Sequence, residues 1–101
     1  MEKLKKTRTL LRTSVTKVVN NLNALLASEV KDLDKIQVTF ELLEFKSEEL
    51  QNVDKQFIEA LLEAEVSEEN LIVESDKADE YVFIFKEIKL KYFLSNFAQR
   101  K

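Results

Sequence analysis

The sequence predicts an all-α fold: an antiparallel three-helix bundle, or a long helical hairpin with a third helix, with coiled-coil-like packing. Three observations predict it. Not one glycine or proline occurs among the 101 residues, where average usage would place roughly a dozen; a chain without these turn formers and helix breakers has few sharp reversals to make. Leucine, valine and phenylalanine recur at heptad spacing over long stretches, as they do in helices that bury a narrow seam. Brief polar links separate those stretches, so consecutive helices are expected to run antiparallel within a single domain, residues 1–101.

The first helix is expected over about residues 3–27. Leu4, Leu11, Val18 and Leu25 recur every seven residues, with Val15 and Leu22 at the intervening seam positions. Its β-branched residues, Thr7, Thr9, Thr13, Val15, Thr16, Val18 and Val19, lose side-chain freedom in a helix, so its stability must come from packing.

The second helix is expected over about residues 33–65, with Asp32 placed to accept hydrogen bonds from its first free amides. Leu33, Phe40 and Leu61 share one heptad position; Ile36, Leu43, Leu50, Phe57 and Ala64 share the other. Ser47 and Asp54 fall in this seam as polar interruptions. Either they select register or partner, or the stripe drifts around a straight helix and Phe45 and Val53 take over. The drift is the expectation.

The third helix is expected over about residues 68–98. Ser67 is its candidate cap, and Glu68 and Glu69 suit the positive end of a helix. Leu71, Ala78, Val82, Phe85, Ile88 and Tyr92 trace one stripe, although the apolar run 81–85 and the alternation at 88–92 also read like a strand. No second strand signal or hairpin turn offers that strand a partner. Phe83, Ile84, Phe93 and Phe97 form a surplus that either joins the core or makes a surface for another protein.

Composition narrows the chemistry. Histidine and cysteine are both absent, which removes the usual base for an activated serine, thiolate zinc sites and the Glu-x-x-His of bundle di-metal centres. The pairs Glu44 with Glu48 and Glu59 with Glu63 share helix faces and read as solvated surface. No catalytic residue, metal, cofactor or small-molecule substrate is expected. No apolar run approaches the roughly 18 residues of a spanning helix, and the Lys-rich start lacks a following signal-peptide stretch; cytoplasmic residence is the expectation.

The net charge of −3 hides a segregation. Residues 1–31 carry seven Lys/Arg against two acids, residues 32–80 four against sixteen, and residues 81–101 five against one. Lys3, Lys5, Lys6, Arg8, Arg12 and Lys17 are therefore a candidate basic patch for nucleic acid or an anionic membrane. The bland alternative, which is the expectation, is that basic and acidic helices lie side by side and neutralise each other.

The order of features, NNLNALL (20–26), DLDKIQVTFELLEFKSEELQNVDKQFIEALL (32–62) and YVFIFKEIKLKYFL (81–94), resembles the Gag-like helical domain near the start of BEL/Pao-type retrotransposon polyproteins, a family long labelled a domain of unknown function. The resemblance covers about residues 8–97, with its closest echoes at Leu33, Leu43, Glu44, Leu50 and Val53. The β-branched, aromatic-rich third helix departs from it, since such domains are usually more charged there. The resemblance implies a structural role in a retroelement particle or a domesticated descendant, and a chain that is either an excised domain or a short standalone derivative. The expected function is thus a non-enzymatic self-association module, its partner itself or another helical protein.

Overall fold

The structure, a computed structural model, describes residues 2–99, with side chains through residue 95. The described residues form three helices, α1 (Glu2–Ala27), α2 (Leu33–Glu63) and α3 (Glu68–Gln99). The threonines of α1 are accommodated by back-bonding: the hydroxyls of Thr7, Thr9 and Thr16 each donate to the carbonyl four residues earlier, at 2.9 Å. This satisfies the hydroxyls locally without strengthening the helix.

The links show how a chain without glycine ends its helices. After α1, Lys31 Nζ donates to the carbonyls of Leu26 at 2.6 Å and Ser28 at 2.9 Å, bringing a cation to the negative end of the helix. Asp32 then caps α2, its Oδ1 accepting from the Lys35 amide at 3.1 Å. At the end of α2, the Glu65 amide donates to Leu62 and the Val66 amide to Leu61, the paired bonds of a Schellman motif. Glu65 sits at φ 56°, a left-handed position that glycine usually fills and that costs a side-chain-bearing residue roughly 1 kcal/mol. This reversal ends α2 at Glu63, short of the expected 65. Ser67 caps α3 by accepting from the Asn70 amide at 3.3 Å.

Arg8, near the start of α1, meets Glu74 near the start of α3 and lies over the ring of Phe57 near the end of α2. The order is therefore up-down-up, in a body 54 × 21 × 16 Å across. Its core joins Val15, Val18, Val19 and Leu22 of α1 to Ile36, Phe40, Leu43 and Leu50 of α2 and Ile88 and Tyr92 of α3. Phe40 is the aromatic centre: Tyr92 stacks on it at 4.0 Å between ring centroids and Phe85 at 6.2 Å.

The α2 stripe corrects the drift expectation. Ile36, Phe40, Leu43, Ser47, Leu50, Asp54 and Phe57 are all buried, alternating by four and three residues, whereas Phe45 is 61% exposed and Val53 half-buried. The seam follows the seven-residue repeat without rotating, as coiled-coil packing requires, and the two polar groups are carried inside.

Leu43 is fully buried and its neighbour Glu44 is exposed. Leu43→Ala should lower unfolding free energy by about 2–5 kcal/mol, and Glu44→Ala by no more than about 0.5 kcal/mol, measured by urea denaturation; equal losses would overturn the seam assignment. Glu65→Gly should raise stability by up to about 1 kcal/mol by relieving the left-handed strain. A lowered thermal midpoint for that variant would show that Glu65 is not strained.

Candidate functional site

Of the candidate basic patch, Lys3, Lys5, Lys6 and Lys17 are exposed, but Arg8 and Arg12 are not surface residues. Their side chains retain 12% and 15% of their accessible surface and point between helices. Arg8 Nη1 donates to Glu74 Oε2 at 2.6 Å, with its guanidinium carbon 3.9 Å from the centroid of the Phe57 ring. Arg12 Nη2 donates to Asp54 Oδ1 at 3.3 Å and its guanidinium lies 5.3 Å from the Tyr81 ring. Arg8 stands seven residues before Val15 and so holds a place in the seam itself, a signal available in the spacing. At these layers the basic and acidic segments neutralise each other within the fold.

The layer is not fully satisfied. The Nε atoms of Arg8 and Arg12 and the Ser47 hydroxyl are buried with no hydrogen-bond partner among the described residues, and aromatic faces compensate the two guanidinium groups only in part. Burial pushes the Asp54 carboxyl above its ordinary value of 3.8, against the opposing pull of Arg12 and Arg8 and with a small push from Glu74. An open groove of about 360 Å³ between α2 and α3 reaches this carboxylate past Ile58, Ala78 and Val82. Asp54 is already engaged by Arg12 there.

The candidate surface on α3 divides. Phe83 is 67% exposed and, at 100° per residue, lies nearly opposite Phe85, Ile88 and Tyr92, which face the core. Leu90 and Leu94 share its side and are also mostly exposed. Ile84 is exposed at the flank. Phe93 is half exposed but tilts against Phe40 at 6.1 Å and Tyr92 at 5.6 Å, so it joins surface to core. Phe97 belongs to α3, and its side chain lies outside the described residues.

Sequence reasoning missed a second exposed patch, Val38, Leu42 and Phe45 on the outer side of α2. Their spacing of four and three residues places them on one helical face, and the signal was legible once Phe45 is left out of the seam. Glu44, Glu48, Glu59 and Glu63 are solvated. Among the described residues, no helix is long and apolar enough to cross a membrane. No family model matches the chain, and no curated protein or solved structure matches it.

The raised Asp54 pKa has a signed consequence. Between 3.8 and the folded-state pKa, the unfolded chain releases this proton before the native chain does, so the unfolded state binds fewer protons and stability falls as pH rises. Asp54→Asn keeps an oxygen for Arg12 but never ionises. Urea denaturation at pH 3.5 and pH 7 should therefore show the variant gaining on the native sequence at the higher pH; the opposite trend would mean that the attraction to Arg12 and Arg8 outweighs desolvation.

Proposed function

We propose that the chain is a non-enzymatic self-association module, serving the structural role in a particle or assembly that its resemblance to retrotransposon Gag-like domains implies. The observation that carries this reading is the outer face of α3. Phe83, Leu90 and Leu94 are exposed side by side, opposite the stripe through Phe85, Ile88 and Tyr92 that holds the helix to the bundle. Single exposed apolar residues are ordinary, but an aligned set on the side of a helix turned away from its own core supports a surface for another protein.

The non-enzymatic part rests on the sequence, which supplies no histidine or cysteine to activate a nucleophile. With Arg8 and Arg12 engaged by Glu74 and Asp54, a phosphate-binding role for α1 has four exposed lysines behind it and no aromatic stacking platform interleaved with them.

Sedimentation at high micromolar concentration should give a mass above that of one chain. Phe83→Asp should reduce it to the monomer with helicity unchanged by circular dichroism, because a charge is costly in a desolvated interface and harmless in water. A strict monomer for the native sequence would remove the reading. Loss of helicity in the variant would place Phe83 in the core instead.

A further inference from the structure

The geometry points to the occupant of the α3 outer face: α3 of a second copy, antiparallel, with Phe83 of both copies at the twofold axis. This rests on the self-association reading and gives it an orientation and a register. Three observations carry it. First, α3 is electrically polarised. Its residues 68–80 hold six acids and one lysine, and its residues 81–95 hold three lysines and one acid. A parallel pair would set acidic half on acidic half, whereas an antiparallel pair sets acidic on basic at both ends.

Second, Phe83 stands at the midpoint of the 32-residue helix Glu68–Gln99. An axis there lets the two helices overlap along their full length, about 48 Å at 1.5 Å per residue. A twofold contact must also be self-complementary, residue i meeting j while j meets i. Around this axis Ile72 meets Leu94 of the second copy, and Asp79 lies one residue out of strict register from Lys86 of the second copy, on the same flank of the helix; all four are exposed and near the Phe83 side. The opposite flank sets Glu80 near Glu87 of the second copy, a like-charge contact that loosens the pair. Third, neither Asp79 nor Lys86 takes part in an ion pair among the described residues, where the pairs between helices are Arg8–Glu74 and Arg12–Asp54.

A strip about 48 Å long and about 10 Å wide falls short of the roughly 800 Å² per partner of a standard interface. The dimer is accordingly weak, on the order of micromolar or looser, and further weakened by salt.

The test uses the full chain at about 100 μM in low salt, a concentration chosen for weak association. In sedimentation equilibrium, Asp79→Lys and Lys86→Asp should each weaken dimerisation about tenfold or more, and the two together should restore it. Because the chain contains no cysteine, Phe83→Cys under mild oxidation should give a disulfide-linked dimer with helicity retained, faster than the exposed control Leu10→Cys.

A native chain that stays monomeric, with no preferential crosslinking at position 83, overturns the self-association reading and this inference with it. A native dimer that survives both single charge reversals, or that Phe45→Asp dissociates while Phe83→Asp does not, leaves self-association standing and overturns the α3 register. Weakening by the single reversals without rescue by the pair overturns the antiparallel pairing.

Discussion

The unbroken heptad of α2 is the constraint on which the other two helices depend. From Ile36 to Phe57 its buried positions alternate by four and three residues, giving a straight strip roughly 30 Å long. Both neighbours dock on it: α1 through Val15, Val18, Val19 and Leu22, and α3 through Ile88 and Tyr92. Neither neighbour has strong local support. α1 is rich in β-branched residues whose intrinsic helix preference is poor, and α3 has apolar residues on opposite sides. Tertiary packing supplies most of the stability of such helices, and α2 is where that packing is available to both.

Keeping the register has a consequence at Ser47 and Asp54, where apolar side chains would have packed at lower cost. An interior ion pair is poor evidence for net stability, because desolvation offsets much of the attraction, and the raised Asp54 pKa is that desolvation expressed as a titration. What the charged layer contributes is orientation. Arg8 and Arg12 find Glu74 and Asp54 only when the start of α1 lies beside the end of α2 and the start of α3. Reversing α1 would carry both guanidinium groups toward the stacked rings of Phe40, Phe85 and Tyr92. A buried charge stripped of its partner costs about 3–5 kcal/mol, enough to separate this arrangement from one with α1 reversed.

Spacing alone made the helices, the apolar positions of the α2 seam and the caps at Asp32 and Ser67 legible, because each follows from a local rule; the burial of Ser47 and Asp54 ran against the expected drift. Features that depend on a third body were less legible. Val19 enters the core beside Val18 because α1 touches two helices and needs a wider stripe than a two-stranded seam supplies. Arg8 read as surface because its residue type argued against its register, and the register prevailed through partners 49 and 66 positions away, at Phe57 and Glu74. Phe45 read as core for the converse reason: its residue type suggested burial and its register did not. At the candidate surface, the apolar surplus at Phe83 and Ile84 was legible on α3, but whether it joined the core or faced solvent was not; the structure exposes both. The mixed role of Phe93 was not legible either, because it depends on the reach of its ring to Phe40 across the helix interface.

The charges of α3 connect these threads. The basic start of α1 is drawn into the bundle by Asp54 and Glu74, so the segregation visible in the sequence is partly consumed inside one molecule. Beyond Glu74, the acidic run through Asp76, Asp79 and Glu80 and the lysines at 86, 89 and 91 remain on one helix, acid at its start and base toward its end. On an isolated helix this order opposes neither dipole end, since acids favour the N-terminal side and bases the C-terminal side; the same order makes the helix complementary to its own antiparallel copy. Monomer stability and pairing thus favour the same distribution of charge. What distinguishes them is the apolar residue at the centre: the helix dipole has no use for a phenylalanine at position 83, whereas the proposed twofold axis would bury it.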